Sequence, residues 1–178
     1  MQKNWLERTE LLIKENGIEK LQNANLLIVG LGGVGSFAAE FLARSGFGKM
    51  TIVDGDTVDI TNINRQLPAL HSTIGKSKVE VVADRLLDIN PKLELVKINE
   101  FLSPEKMEEV IDSQEFNYIL DCIDSVTPKV TLLLMAKRRK IKIVSCMGAG
   151  GKINPAKVMV RDISKTYNCF LAKQVRKR

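Results

Sequence analysis

Long apolar runs are missing from this chain of 178 residues. No stretch reaches the about 18 consecutive apolar residues that a membrane-spanning helix needs, so the sequence predicts neither a transmembrane segment nor a membrane partner. The first ten residues, MQKNWLERTE, are polar and lack the apolar core of a secretory signal peptide. We therefore expect a cytoplasmic protein with a single domain that spans residues 1–178.

Cysteine and histidine are also scarce, with three cysteines and one histidine in the chain. Cys122, Cys146 and Cys169 are far apart and form no C-x-x-C pair, so neither a zinc site nor a disulfide framework is predicted. Cys122 and Cys146 stand in apolar stretches, which favours buried and inert thiols. The lone His71 is more typical of a turn or surface residue than of a catalytic base.

Acidic residues almost disappear towards the C-terminus. Residues 137–178 hold 13 Lys or Arg and a single acid, Asp162, whereas residues 1–136 hold 14 basic and 20 acidic residues. The basic residues cluster in KRRKIK (137–142) and KQVRKR (173–178). Such clusters predict a partner with a phosphate backbone, and a solvated surface that aids solubility is the alternative.

Strand-like and helix-like patterns alternate along the chain. This alternation predicts an α/β fold, a Rossmann-like doubly wound and mostly parallel sheet with helices on both faces. The predicted strands are residues 25–30, 49–54, 93–98, 117–124 and 141–147, with a further strand at 156–163. The predicted helices are residues 4–15, 35–46, 77–90, 104–112 and 129–140. In the first helix, Trp5, Leu11 and Leu12 are the expected apolar anchors.

The glycine-rich segment GLGGVG (30–35) lies between a predicted strand and a predicted helix. Gly30 allows a tight turn, Gly32 lets the backbone approach a phosphate, and Gly35 lets helix and strand pack closely. Asp54 ends the second predicted strand, where a carboxylate would accept hydrogen bonds from ribose hydroxyls. The motif predicts a nucleotide site but does not say which nucleotide binds.

The segment TNINRQLPALHSTIGKSK (61–78) carries more positive charge than an NAD or FAD site needs. Arg65 and Lys78 would neutralise the β- and γ-phosphates of a triphosphate and the charge that develops on leaving pyrophosphate. Asp124, at the end of a predicted strand, is placed to hold Mg²⁺ on those phosphates. Together these residues predict attack at the α-phosphate of ATP, which is adenylation.

These elements resemble, in their order and spacing, the E1-like (ubiquitin-activating) adenylating superfamily. The segments that carry the resemblance are GLGGVG, Asp54, NINRQ (62–66), Lys78 and DCID (121–124). The residues that it implies for ATP binding are Gly30, Gly32, Gly33, Gly35, Asp54, Asn62, Gln66 and Arg8. It implies catalytic roles for Arg65, Lys78 and Asp124, with Asp124 as the Mg²⁺ ligand. Arg8 matches an arginine that reaches the ATP of a partner subunit, so a homodimer is implied.

Three further segments resemble the tRNA threonylcarbamoyladenosine dehydratases within that superfamily: TNINRQ (61–66), IDSVTPK (123–129) and GAGGKINP (148–155). The resemblance implies ATP-dependent activation of the threonyl carboxylate beside the tRNA anticodon, followed by ring closure with net loss of water. The basic segments 137–142 and 173–178 would then contact tRNA. Because such enzymes usually continue further, we also expect this chain to lack the C-terminal segment of the family.

Three alternatives remain open at this point. A sulfur-carrier or ubiquitin-like protein adenylyltransferase would act on a protein ending in Gly-Gly, and it would normally have zinc cysteines. An NAD-dependent oxidoreductase would have no need for Arg65 or Lys78. A non-catalytic module would bind ATP or RNA without turnover. The residues also leave open whether a monovalent cation or a sulfur-transfer partner protein binds.

Overall fold

Five parallel strands form the centre of the fold in the computed structural model, which describes residues 4–178. The strands are β1 (Asn25–Val29), β2 (Lys49–Val53), β3 (Glu94–Ile98), β4 (Tyr118–Asp121) and β5 (Lys142–Ser145). Their order in the sheet is β3-β2-β1-β4-β5, and every neighbouring pair is parallel. The chain therefore runs outward from β1 to β3, then returns to β4 on the other side of β1. This reversal creates a crevice at the carboxyl ends of β1 and β4, where ligands bind in such sheets.

Helices cover both faces of the sheet, which confirms the predicted doubly wound α/β fold. The helices are α1 (Glu7–Gln22), α2 (Gly35–Arg44), α3 (Lys78–Ile89), α4 (Pro104–Asp112), α5 (Val126–Arg138) and α6 (Phe170–Arg176). The first apolar core joins α2 and α3 to one face, and the second joins α4 and α5 to the other. Within residues 4–178, no helix combines the length and the hydropathy needed to cross a bilayer.

The sequence NLLIV of β1 explains its central position. All five residues are buried, and successive side chains point to opposite faces. Leu26 and Ile28 contribute to the core under α2 and α3, whereas Leu27 and Val29 contribute to the core under α4 and α5. A strand that is buried on both faces needs a continuous apolar run, and this requirement makes the inner strands recognisable from sequence.

The region after β5 differs from the prediction. The strand predicted at 156–163 is wrong, because these residues form a short 3-10 turn at Pro155–Lys157 followed by irregular chain. Val158 and Val160 are exposed there, without the neighbouring strand that would bury them. The sequence also did not predict α6, a short helix that packs against α5.

The first helix also differs from the prediction. It extends to Gln22, but the backbone leaves helical geometry at Lys14, where φ is 63°. This break interrupts the helical periodicity on which the apolar face was predicted. Trp5, Leu11 and Leu12 are exposed, so their predicted role as anchors within the chain is wrong.

A buried ion pair joins β4, β5 and α5 beneath the crevice. The Nζ of Lys129 lies 2.7 Å from Oδ2 of Asp121, and both side chains are fully buried. Lys129 also donates to the carbonyl oxygen of Cys146 at 3.0 Å, while the hydroxyl of Ser145 donates to Oδ2 of Asp121 at 2.5 Å. The other oxygen, Oδ1, accepts the backbone N–H of Ile123 at 3.1 Å. The network thus holds the first residues of the loops that follow β4 and β5.

Replacing Lys129 by Met should lower the free energy of unfolding by roughly 3–5 kcal/mol, because the Asp121 carboxylate would remain buried without a counter-charge. Urea unfolding followed by circular dichroism measures the change. Lys106→Met is the matched control: Lys106 pairs with Glu109 at the surface, so its loss should leave the free energy of unfolding almost unchanged. Equal costs for the two variants would contradict a structural role for the buried pair.

Candidate nucleotide-binding site

The glycine-rich turn lies at the carboxyl end of β1. The N–H of Gly30 donates to the carbonyl oxygen of Val53 at 2.8 Å, and its φ of +92° favours glycine. A Cβ at Gly35 would lie 1.7 Å from the carbonyl oxygen of Gly30, and a Cβ at Gly30 would lie 2.9 Å from that of Cys122. Neither position has room for a side chain. The turn therefore brings the N-terminus of α2 directly against the ends of β1 and β4.

Asp54 lies beside this turn at the end of β2. Its Oδ2 accepts the N–H of Leu31 at 2.6 Å, and its Oδ1 accepts the N–H of Asp56 at 2.8 Å. Both backbone donors orient the carboxylate at the opening of the crevice. Each oxygen keeps a free lone pair, so Asp54 could still accept hydrogen bonds from ligand hydroxyls.

The loop after β2 brings Asn62, Arg65 and Gln66 against the glycine turn. Asn62 is buried, and its carbonyl oxygen accepts the N–H of both Arg65 and Gln66. The carbonyl oxygen of Arg65 would lie 3.3 Å from a Cβ placed on Gly33, and Nε2 of Gln66 would lie 3.7 Å from a Cβ placed on Gly32. Residues far apart in sequence are thus adjacent here, as the resemblance implied.

Gln66 has an unsatisfied oxygen inside this loop. Its Oε1 is buried and has no hydrogen-bond partner among residues 4–178. Buried polar atoms without a partner are uncommon in native structures, because each costs free energy. A ligand that supplies a donor at this point would remove that cost.

The two predicted cationic side chains differ in their surroundings. Arg65 is exposed, and its Nη1 donates to the carbonyl oxygen of Thr61 at 2.9 Å. Lys78 begins α3 and is almost buried, with its Nζ 2.7 Å from Oδ2 of Asp56. The backbone also joins these segments, since the N–H of Lys78 donates to the carbonyl oxygen of Asp56. Lys78 is thus oriented by an acid two residues beyond Asp54, a partner that the sequence analysis did not predict.

The capping residue of the same loop is Asp59, which precedes the 3-10 turn Ile60–Asn62. Hydrogen bonds from the hydroxyl and the N–H of Thr61 hold the pKa of the Asp59 carboxyl below its usual range. The charged form of Asp59 therefore stabilises the turn that orients Asn62.

Asp124 is exposed in the loop between β4 and α5. The same loop begins at Cys122, whose carbonyl oxygen faces Gly30, so Asp124 stands close to the glycine turn. Across residues 4–178, no three His, Cys, Asp or Glu side chains cluster as a ready-made metal site. A single carboxylate does suit Mg²⁺ when substrate phosphates supply further oxygen ligands.

Within one chain, Arg8 lies away from the other candidate residues at the glycine turn. It is exposed near the start of α1, and Leu6 packs against Gly46. Gly46 follows the C-terminus of α2, the end opposite the glycine turn, and a helix of this length spans about 15 Å. The geometry separates Arg8 from Gly35 of the same chain, so any contact of Arg8 with a nucleotide would require a second copy.

The sequence analysis missed the groups that support the site from below. Asp121 and Lys129 form the buried pair described above, and no local pattern marks them as partners eight residues apart across a strand and a helix. An acid inside the apolar strand sequence YILD was the one available signal. Because an isolated buried charge is costly, such an acid indicates a buried cation elsewhere in the chain.

The thiols of Cys122 and Cys146 are neighbours on this edge of the sheet. Hydrogen bonding to Cys146, together with burial, raises the pKa of the Cys122 thiol. The same hydrogen bond lowers the pKa of the Cys146 thiol to about 7 although burial opposes it, and the charge of Lys129 acts in the same direction. Both side chains are only half-buried, so the expected full burial of the two thiols is wrong, while their expected inertness stays a prediction.

Helix α6, which carries part of the basic segment 173–178, packs against α5, which carries part of the basic segment 137–142. Lys137, Arg138 and Lys140 are exposed there. Arg139 is different: it donates to Asp112 at 2.5 Å and to Glu108 at 2.7 Å. These contacts raise the pKa of Arg139 and compensate its charge within the chain, so the uniform basic cluster expected from KRRKIK is interrupted at this residue.

A shallow depression lies elsewhere, at the amino ends of β4 and β5. It is lined by Asn16, Glu19, Lys20, Asn23, Ala24, Asn117, Tyr118 and Lys142. Parallel sheets of this kind bind ligands at the carboxyl ends of their strands, on the opposite edge. The glycine turn is therefore the better candidate site.

The parallel sheet and the glycine turn at its point of reversal define a Rossmann-like nucleotide-binding domain. Residues 6–178 match the model of the ThiF family, and the chain belongs to this family. The match covers all the candidate residues described above.

Individual proteins and solved structures are similar to this chain over most of its length. The chain is 44% identical over 169 residues to the tRNA threonylcarbamoyladenosine dehydratase of Bacillus subtilis (strain 168), an alignment that covers 95% of this chain and 66% of that protein. A crystal structure of the E. coli tRNA N6-threonylcarbamoyladenosine dehydratase superposes with a TM-score of 0.95 at 40% identity, covering 98% of this chain and 72% of that one. The complex of the E. coli enzyme with ATP gives a TM-score of 0.94 at 40% identity, over 97% of this chain and 71% of that one. The chain thus spans just under two thirds of the curated Bacillus subtilis relative.

Alkylation of Cys146 by iodoacetamide should become faster as the pH rises, with a midpoint at about 7. Only the thiolate reacts, and protonation below the midpoint removes it. Mass spectrometry of the peptide 143–152 measures the rate. Cys122→Ala should move the midpoint upward because the hydrogen bond is lost, and Cys169→Ala is the control. A midpoint that Cys122→Ala leaves unchanged would contradict the thiol–thiol hydrogen bond.

Proposed function

We propose that this chain binds ATP in the crevice at the glycine turn and uses it to activate the carboxylate of threonylcarbamoyladenosine in tRNA. The observation that carries the proposal is the convergence of the turn 30–35, Asn62, Arg65, Gln66 and Asp124 on one edge of the sheet. The similarity to tRNA threonylcarbamoyladenosine dehydratases of two bacteria supports the choice of substrate.

The glycine turn and the N-terminus of α2 receive the α-phosphate in this proposal. Gly30 and Gly35 let the turn pack tightly, Gly32 and Gly33 let a phosphate approach the backbone, and the helix N-terminus adds a partial positive charge. Asp54 accepts hydrogen bonds from the ribose hydroxyls. Its two backbone contacts to Leu31 and Asp56 support this role, because they aim the carboxylate before any ligand arrives.

Asn62, Arg65, Gln66 and Lys78 act on the triphosphate. Arg65 is exposed and can turn towards the β- and γ-phosphates, whereas Lys78 reaches them from its pair with Asp56. Positive charge at this point stabilises the pyrophosphate as it leaves. The Nε2 of Gln66 lies near Gly32 and could donate to a phosphate oxygen there.

Asp124 would hold Mg²⁺ together with the phosphates of ATP. One carboxylate and several phosphate oxygens suit the octahedral preference of this ion. The metal would supply positive charge against the leaving pyrophosphate. None of the contacts described above requires a monovalent cation, so the proposal assigns no role to one.

The reaction then proceeds within the substrate. The threonyl carboxylate attacks the α-phosphate and pyrophosphate leaves. Ring closure of the side chain onto the activated carbonyl expels the nucleotide, and the nucleoside has lost one water. Because the nucleophile belongs to the substrate, proximity replaces a catalytic cysteine. The protein has to bind, orient and neutralise charge, and the candidate residues are of types that do so.

A second copy of the chain completes the proposed site. Val34 just before α2 and Phe37 and Phe41 within it are exposed, and Val144 of the outer strand β5 is exposed on the same side of the sheet. An apolar face of this kind is typical of a subunit interface. A homodimer would also allow Arg8 to reach the other nucleotide site. A tRNA substrate implies a cytoplasmic location, and a sulfur-transfer partner protein is a further expectation from the superfamily.

The decisive experiment incubates the purified chain with ATP, Mg²⁺ and tRNA that carries threonylcarbamoyladenosine. Mass spectrometry of the digested nucleosides should show the loss of one water, which depends on ATP. Asp124→Asn should lower the rate by about 100-fold or more, because Mg²⁺ would lose its carboxylate ligand and the charge stabilisation of the phosphates would weaken. Asp88→Asn, an exposed acid on α3, is the matched control and should retain the rate.

The outcomes separate the alternatives. ATP binding without a change in nucleoside mass would contradict the dehydratase proposal and would favour a binding module. Adenylation of a carrier protein ending in Gly-Gly would identify a protein adenylyltransferase instead. Full activity of Asp124→Asn would remove Asp124 from the site while leaving the substrate assignment intact.

The exposed basic residues at the C-terminal end of α5 and just after it should contribute to tRNA affinity through counterion release. Replacing Lys137, Arg138 and Lys140 by Ala should reduce the slope of log affinity against log salt concentration by about 2, since each phosphate contact contributes about 0.7–0.9. Filter binding over a salt series measures this slope.

A matched control removes three exposed lysines at the opposite edge of the sheet, Lys49, Lys92 and Lys97. This variant loses the same net charge but should keep its slope. Equal changes in the two variants would indicate an effect of net charge alone and would contradict a tRNA contact at α5.

A further inference from the structure

The two cysteines at the crevice occupy matching positions on neighbouring parallel strands. Asp121 of β4 pairs with Ser145 of β5, and the same register continued by one residue places Cys122 beside Cys146. The N–H of Cys146 donates to the carbonyl oxygen of Asp121 at 2.8 Å, which continues the ladder to this point. Neighbouring strands are about 4.8 Å apart, and disulfides form between Cα atoms about 4.4–6.8 Å apart.

The side chains of the two residues also share a face. A Cβ at Gly35 of α2 would lie 3.1 Å from the Cβ of Cys122, so Cys122 points to the α2 side of the sheet. Ser145 points to the opposite side, where it bonds Asp121, so Cys146 points to the α2 side as well. Strand register and a shared face thus bring the two sulfur atoms together.

We propose that Cys122 and Cys146 are a redox-sensitive pair that peroxide converts to an intramolecular disulfide across the carboxyl ends of β4 and β5. Both residues are half-buried and within reach of a small oxidant. The bond would connect the loop that carries Asp124 to the loop that begins at Met147. It would lie directly behind the glycine turn, because the carbonyl oxygen of Cys122 faces Gly30.

The chemistry needs peroxide as the only co-reactant. The sulfur of Cys146, at the end of the outer strand, attacks one oxygen of hydrogen peroxide, the O–O bond breaks, and the thiol proton leaves with the second oxygen as water. The sulfur of Cys122 then attacks the resulting sulfenic acid of Cys146, the S–O bond breaks, and a second water leaves with the Cys122 proton. Two thiols lose two electrons in total, and the peroxide gains them. A dithiol reductant reverses the bond by thiol–disulfide exchange.

The third cysteine provides an internal competitor. The Sγ of Cys169 lies 3.9 Å from the carbonyl oxygen of Met147 and accepts the N–H of Ala172 at the start of α6. Cys169 is therefore close in space to the residue after Cys146. It lies on a different element and has no ladder partner, so the strand register favours Cys122.

The test treats the full, reduced chain with hydrogen peroxide and digests it with trypsin without reduction. The three cysteines fall in separate tryptic peptides, residues 107–129, 143–152 and 166–173. The expected product is 107–129 linked to 143–152 with the loss of two hydrogen atoms, and dithiothreitol should release both peptides. Cys169→Ser should form the same product at the same rate.

Three results would overturn the proposal. These are a link between 143–152 and 166–173, a link between two copies of the chain, and independent oxidation of Cys122 and Cys146 to sulfinic or sulfonic acids without a cross-link. Cys122→Ser gives a second readout, because its Cys146 sulfenic acid should persist and react with dimedone. Failure of dimedone to label this variant under the same peroxide treatment would also contradict the proposed first step.

Discussion

The close approach between the glycine turn and the end of β4 is the contact on which the rest of this structure depends. A Cβ at Gly35 would lie 1.7 Å from a backbone oxygen, and one at Gly30 would lie 2.9 Å from another. Only when both positions lack a side chain can α2 start against the end of β1 while the chain of β4 passes behind it. The N-terminus of α2, Asp54 and the loop to Asp124 then share one crevice. A single steric constraint thus defines where an anion can bind.

Beneath that crevice, the molecule stabilises its loops with buried charge. The first residues after β4 and β5 are held by the Lys129–Asp121 pair and by the hydroxyl of Ser145. Apolar side chains in their place could not form hydrogen bonds with the backbone of these loops. Such a network costs desolvation free energy, and it is stable because nearly all of its donors and acceptors are paired. The same arrangement places two thiols side by side above it. Ligand-binding loops and the cysteine pair therefore share one support.

Tertiary packing decides which side chains of a basic or apolar sequence cluster are exposed to solvent. The segment KRRKIK (137–142) is basic at every position but one. Arg139 nevertheless pairs with Asp112 and Glu108, while its neighbours face solvent. Helix α6 adds a second basic segment because it packs on α5. Phe37 and Phe41 of α2 are exposed because the helix faces the sheet with its small residues, Ala39 and Ala43. Charge counts alone could not distinguish these surroundings.

The sequence by itself determined the inner strands, the order of helices and strands as far as β5, the glycine turn and the candidate residues from Asp54 to Asp124. These features depend on local rules: apolar runs mark buried parallel strands, and glycines mark positions without room for a side chain. Only the tertiary structure decided that Lys78 pairs with Asp56, that Lys129 neutralises Asp121 and that Cys122 meets Cys146. It also decided that Leu11 and Leu12 are exposed and that residues 156–163 form no strand. Each of these outcomes depends on which distant segment lies alongside, and a parallel sheet brings together strands that are separated by whole helices.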